Sequence, residues 1–146
     1  MANLFEKALK LATEVHTGQV DKSGEPYLAH ILTVAISGQN EDERLVGLLH
    51  DVIEDSGGAV KALTLEQAGF PLHIIDAVVA LTRCPWETFA EYIERCVENP
   101  LAARVKLYDL YHNLDPNRQN FPGAKSLAKR HQKAFNTVYE AFLKQL

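Results

Sequence analysis

Apolar residues recur at three- and four-residue intervals along nearly the whole chain, the spacing that lines one face of an α-helix. Leu4, Phe5, Ala8, Leu9, Ala12 and Val15 form the stripe of a first predicted helix, with Asn3 as its N-cap and Gly18 beyond its end. A polar loop, QVDKSGEP, leads to a second predicted helix from about Tyr27 to Ser37 that stops at Gly38. Glu41, Asp42 and Glu43 suit the positive end of a third helix, which the pattern carries to about Glu54 before Ser56-Gly57-Gly58. Thr64-x-x-Gln67 reads as a capping box for a short helix closed by Gly69. Further helices are expected over Pro71 to Leu81, Pro85 to about Val97, Pro100 to Leu114 and Ala124 to Leu146. Prolines 71, 85 and 100 then fall where helices begin. Strand-type alternation is nearly absent, so the expected class is all-α, one compact helical domain over residues 1–146.

Composition narrows the possibilities. A chain of 146 residues has the length of one core rather than two. Hydrophobic residues at 47% and charged residues at 23% are the balance of a globular protein. The net charge of −4 leaves no general positive field for nucleic acid, so an anionic substrate needs a local basic cluster or a metal. Cys84 and Cys96 form no C-x-x-C pair and no disulfide framework, and both are expected as small buried apolar groups. No apolar run approaches the roughly 18 residues of a membrane span, and the start lacks a signal-peptide core. A reduced, cytoplasmic setting is the expectation, with the oligomeric state left open.

The third helix carries the unusual chemistry. At 100° per residue, Leu45, Val46, Leu48, Leu49, Val52 and Ile53 share one side, and His50, Asp51, Glu54 and Asp55 share the other. A solvated polar face would account for charge alone. This face has three carboxylates and no Lys or Arg, however, and Asp51 and Asp55 are i, i+4 neighbours that repel. Gly47 lies on the same side, where a mid-helix glycine costs about 1 kcal/mol unless something approaches closely. An imidazole directly beside an aspartate also offers nitrogen and oxygen donors to a divalent cation, which would turn the repulsion into attraction.

Ligands from elsewhere would complete such a site. His30 lies on the second helix; Asp109 shares a face of the Pro100–Leu114 helix with Lys106 and Asn113. Lys106 and Asp109 could equally be an i, i+3 pair on a solvent face. Together His30, His50, Asp51 and Asp109 make a two-nitrogen, two-oxygen set suited to Mn²⁺, Fe²⁺, Co²⁺ or Zn²⁺. His16, His73, His112 and His131 are expected to stay outside it. His16 falls in an apolar stripe, and His112 on another side of its helix from Asp109. No Gly-rich phosphate loop, G-x-S-x-G elbow or H-E-x-x-H is present.

The pattern His…His-Asp…Asp resembles that of the HD phosphohydrolase superfamily, an all-α metal-dependent group. The words HTGQVDKSGEPYLAH, GLLHDVIED, LTR and ENPLAARVKLYDLYHN look like the hydrolase domain of the Rel/Spo stringent-response enzymes and their small stand-alone relatives. The resemblance spans about residues 5 to 117 in matching order. It implies removal of the 3′-pyrophosphate of guanosine tetra- or pentaphosphate (ppGpp) with Mn²⁺ as cofactor. It further implies His30, His50, Asp51 and Asp109 as metal ligands, Glu54 and Asp55 as the acidic pair acting on the attacking water, and Lys22, Ser23 and Asn113 as substrate contacts. Two positions depart from the family pattern. Asp21 stands where an Arg usually precedes the Lys-Ser word, and Pro116 stands three residues after Asn113 where a small hydroxyl residue is usual. The acidic word departs as well, running on as Glu-Asp-Ser-Gly-Gly rather than into the threonine-containing turn usual in the family.

The expected chemistry is hydrolysis of a phosphate ester by a metal-activated water, with Glu54 as general base one turn beyond His50 and Asp51. Lys22 and Lys106 could offset phosphate charge. Two other readings stay open. One is an HD phosphohydrolase for another nucleotide, such as a nucleoside monophosphate or a phosphorylated dinucleotide, which Asp21 and Pro116 favour. The other is a non-catalytic, metal-containing nucleotide-binding module.

Overall fold

The computed structural model describes residues 3–146, in which nine α-helices and one 3₁₀ turn account for the regular structure. Helix α1 is Leu4–His16, α2 Tyr27–Ser37, α3 Glu41–Leu49, α4 Val52–Asp55 and α5 Ala62–Gln67. Helix α6 is Leu72–Ala80, α7 Phe89–Val97, α8 Pro100–Asn113 and α9 Ala124–Leu143; the 3₁₀ turn η1 is Pro116–Arg118. The one β-type pairing among the described residues is an isolated bridge between Val20 and Pro26, which closes the loop after α1. The all-α expectation holds.

Helix α3 is the axis of the molecule, packed by α1, α2, α6 and α8. Leu45, Val46, Gly47, Leu48 and Leu49 are all buried, so this helix has no solvent face along its second half. Glu43 is buried with them; it accepts from Gln39 N, Asn40 Nδ2 and the Tyr108 hydroxyl, which satisfies its carboxylate at the start of the helix.

Several sequence expectations change here. The third helix does not run through to Glu54. It ends at Leu49, and Asp51, with φ −113 and ψ 4, breaks it before α4. Gly47 does not serve the polar side; a Cβ there would lie 2.8 Å from Ala35 Cα, so glycine is required by the close crossing of α2 over α3. Pro85 does not start a helix: Thr88 caps α7 through Glu91 N, and Glu91 returns the bond to Thr88 N. Thr64 is not an N-cap but sits inside α5, where its hydroxyl accepts from Lys61 N. Cys96 is buried as expected, whereas Cys84 is only half-buried. No helix among the described residues is long and apolar enough to cross a membrane.

Candidate metal centre and adjoining cavity

The break at His50-Asp51 lets two neighbouring side chains point into one space, which an unbroken helix would splay by about 100°. His50 is 2% exposed, and its Nδ1 donates to the Gly47 carbonyl at 2.7 Å. That bond fixes the ring and turns Nε2 toward Asp51 Oδ2 at 3.2 Å and Asp109 Oδ1 at 3.5 Å. Neither carboxylate lies in hydrogen-bonding geometry, so Nε2 is a buried polar atom without a partner. From α2, His30 Nε2 reaches Asp109 Oδ1 at 2.8 Å. Donor atoms of His30, His50 and Asp51 all lie within 4.8 Å of one another. The four residues singled out by the sequence are thus brought to one point.

Two further bonds set the charge of this cluster. Lys106, only 8% exposed, donates to Asp109 Oδ2 at 2.7 Å, and the Tyr27 hydroxyl donates to Asp51 Oδ2. Lys106 is therefore a buried counter-charge rather than a member of a solvent face. Burial alone would push the carboxyls up, but Lys106 and the two histidines hold Asp109 well below the usual range. Burial is also the largest single influence on Asp51, but His50 and the Tyr27 hydroxyl together overcome it and hold this carboxyl down to about 2. Burial works against a charged His50, yet Asp51 and Asp109 raise its pKa well above the ordinary value. Such a set, with carboxylates ionised and an imidazole aimed at them, is what a divalent cation fits.

Around the cluster lies a ring of residues that the sequence did not connect to it. His112 was expected on another side of its helix, but α8 turns it so that its ring stacks on His30 at 5.0 Å and its Nδ1 lies 2.7 Å from His30 Nδ1. His16, the expected core histidine, is buried; its Nδ1 faces Gln19 Oε1 at 2.7 Å and lies 3.8 Å from Asp55 Oδ2. Asp55 also accepts from Gln19 Nε2, so it is drawn toward α1 rather than toward the opening. Burial, then Asp51, raises the Asp55 pKa. His73 stays apart, paired with Asp42 at an exposed site.

A cavity of about 430 Å³ adjoins the cluster. Lys22, Ser23, Tyr27, Glu54 and Asn113 line it, together with Arg118, Arg130 and His131, which the sequence reading had not placed there. His131 was expected to stand apart; helix α9 folds it onto this wall, where burial depresses its pKa to about 4. Ser23 Oγ is enclosed and has no partner. Glu54 accepts from Arg83 N at 2.9 Å through Oε1. The protein crowding its inner side raises its pKa, with Asp51 adding to the effect and the Arg83 N–H opposing it. A carboxylate so poised accepts a proton more readily than a solvated one. Arg118 and Arg130 had no local pattern to reveal them, since each reaches the cavity from a segment remote from the motifs.

The helical fold with His30, His50, Asp51 and Asp109 gathered between α2, α3 and α8 defines an all-α, HD-type domain. No family model matches the chain. It is, however, 34% identical over 127 residues to a GTP pyrophosphokinase of Myxococcus xanthus, covering 77% of this chain and 17% of that protein. It is 30% identical over 122 residues to a probable GTP pyrophosphokinase of Mycobacterium leprae, covering 77% and 16%. A guanosine-3′,5′-bis(diphosphate) 3′-pyrophosphohydrolase of Haemophilus influenzae is 32% identical over 116 residues, 71% of this chain and 17% of that enzyme. The fold is also that of a solved metazoan ortholog of SpoT, described as hydrolysing ppGpp. The TM-score is 0.64 at 22% identity, over 99% of this chain and 97% of that one. In sequence the chain is similar to one segment of the Rel/Spo proteins and in fold to a SpoT ortholog, and it spans about a sixth of the length of the curated relatives it matches.

Proposed function

We propose that this domain is a metal-dependent phosphohydrolase that removes the 3′-pyrophosphate of guanosine tetra- or pentaphosphate, with Mn²⁺ held by His30, His50, Asp51 and Asp109. The observation that carries the reading is the partnerless, buried Nε2 of His50, aimed at two ionised carboxylates beside a cavity with cations on its wall. When bound, a divalent ion supplies Lewis acidity and a lowered water pKa. His30 would serve as a ligand through Nε2, the nitrogen that faces Asp109, while its Nδ1 lies 2.7 Å from His112 Nδ1 and 3.1 Å from Arg118 Nη1, which orient the ring from behind.

The residues on the cavity wall have separable roles. Glu54 takes the proton of the attacking water at Oε2, since Oε1 is held by Arg83 N. The hydroxyl joins phosphorus, the bond to the 3′-oxygen breaks, and the proton leaves Glu54 for that oxygen, giving pyrophosphate and guanosine 5′-diphosphate or 5′-triphosphate. Lys22 and Arg130 neutralise phosphate oxygens, Ser23 Oγ donates to one, and Asn113 contacts the nucleotide. Asp55 keeps Gln19 and His16 in place behind Asp51.

A second reading, a different nucleotide as substrate, is favoured by the acid at position 21 of this cavity. A Mn²⁺-supplemented panel of guanosine tetraphosphate, nucleoside monophosphates and a phosphorylated nicotinamide dinucleotide decides between them. Intact pyrophosphate released from the first alone supports the leading reading; orthophosphate released from the others supports the second. Glu54→Gln is expected to lower turnover at least roughly 100-fold while Mn²⁺ affinity stays within about threefold. A wild-type protein that binds nucleotide and Mn²⁺ but turns over nothing would be a binding module, and the hydrolase reading would fall.

A further inference from the structure

Asp21 and Arg118 stand 97 residues apart in the chain and meet on the cavity wall. Arg118 Nη2 lies 3.2 Å and Nε 3.4 Å from Asp21 Oδ2, with side chains only 14% and 9% exposed. Each partner also grips a different piece of the wall. The other carboxylate oxygen of Asp21 accepts from Ser23 N at 2.9 Å and Glu25 N at 3.0 Å, which shapes the loop carrying Lys22 and Ser23. Arg118 Nη1 donates to Asn113 Oδ1 at 2.7 Å, which turns the Asn113 amide so that its NH₂ faces Asp109 and the cavity. Pro116 opens the 3₁₀ turn that presents Arg118, and Gln119 ties that turn back to the Asn113 and Asp115 carbonyls.

We infer that the Asp21–Arg118 pair is a positioning latch that joins the Lys22–Ser23 loop to the end of α8 and sets substrate affinity through Lys22, Ser23 and Asn113. The charge balance supports this role. Asp21 neutralises Arg118, so the guanidinium is spent on holding the wall, and Lys22 and Arg130 are left as the cations that face an anionic ligand. Neither member reaches the cavity side of the cluster, although Arg118 Nη1 also lies 3.1 Å from Nδ1 of His30, on the side of the ring away from Asp109. The inference rests on the proposed hydrolase reading for its kinetic arm only.

The test uses D21N, R118M and the double variant. The carboxamide introduced by D21N keeps an oxygen for the Ser23 and Glu25 amides, so this variant removes the charge of the latch and not the turn. In R118M the Ser23 and Glu25 amides are expected to exchange roughly tenfold faster than in the wild type, with the melting temperature otherwise near that of the parent. Either single variant is expected to raise KM roughly tenfold with kcat within about threefold, and the double variant to be no worse than the poorer single one. Wild-type exchange rates in R118M, an unchanged KM, or effects that multiply in the double variant would each overturn the latch. If the wild type hydrolyses nothing in the panel, faster exchange together with weaker calorimetric binding of guanosine 5′-diphosphate upholds the latch while the hydrolase reading fails.

Discussion

His30 and Asp109 are carried by α2 and α8, and His50 by the end of α3, all within the packed interior, whereas Lys22 and Ser23 stand on a loop and Arg118 on the short turn η1. The difference is one of support. In the cluster each polar atom is held by helices that cannot shift without opening the core, and the Lys106–Asp109 pair is sealed inside. On the cavity wall, position depends on side-chain hydrogen bonds between segments remote in the chain, such as those of Asp21 and Arg118. The contrast predicts that substitutions on the wall cost little stability, whereas substitutions in the cluster cost much.

The largest expected effect comes from the buried side. Asp109→Asn leaves the Lys106 ammonium in the interior facing a neutral amide, a loss of about 3–5 kcal/mol, which lowers the melting temperature by roughly 10 °C for a chain of this size. Mn²⁺ binding is expected to go with it. Adding Lys106→Met should return part of the stability and none of the metal affinity; if both returned, the cluster would not be a metal site.

Spacing between the helices gives the next effect. Gly47→Ala places a Cβ 2.8 Å from Ala35 Cα and 3.0 Å from Ala35 N, both backbone atoms that no side-chain rotation can relieve. Overpacking of about 1–3 kcal/mol then exceeds the gain of about 1 kcal/mol from helix propensity. Because α2 carries His30 and α3 leads into His50, calorimetry should also record weaker Mn²⁺ binding. An unchanged affinity would show that the cluster tolerates a shift of its helices, against the contrast drawn above.

The smallest effect belongs to the loop side and appears only in acid. Glu87 is held down to about 2, chiefly by Arg95, which donates to its Oε2 at 2.7 Å; Glu87 in turn accepts from Cys84 N. A carboxyl depressed in the folded state stabilises it fully above its unfolded value of about 4.5, and that contribution is lost as pH falls from there toward about 2. Glu87→Gln should therefore flatten the pH dependence of the melting temperature between those limits. It should leave the profile above pH 6 parallel to that of the wild type. A steeper acid limb in the variant would contradict the pairing.

How much could be read beforehand follows from how local each signal is. The ends of α2 at Tyr27 and Ser37, the Asn3 cap and the start of α8 at Pro100 rest on neighbouring residues, and the structure has them as the pattern predicts. Residues 82–88 misled the reading, because Pro85 has the look of a helix start while the true cap, Thr88, depends on Glu91. The wheel argument put His50, Asp51 and Glu54 on one side of a continuous helix. Their actual convergence depends on the break at Asp51, where only the surrounding helices favour the bend. Two of the departures from the family pattern, Asp21 and Pro116, looked independent in the sequence, whereas in the fold Asp21 pairs with Arg118 of the turn that Pro116 opens.

Periodicity and end signals in the sequence alone determined an all-α chain, most helix limits, and the four candidate ligands, because those rest on residues within a turn or two of each other or on words that resemble known ones. Only the tertiary structure decided that Lys106 and Glu43 are buried, that Gly47 serves a helix crossing, that His112 backs His30, and that Arg118 reaches Asp21. Those facts depend on which helix faces lie against each other, a matter of global packing that no short stretch of chain encodes.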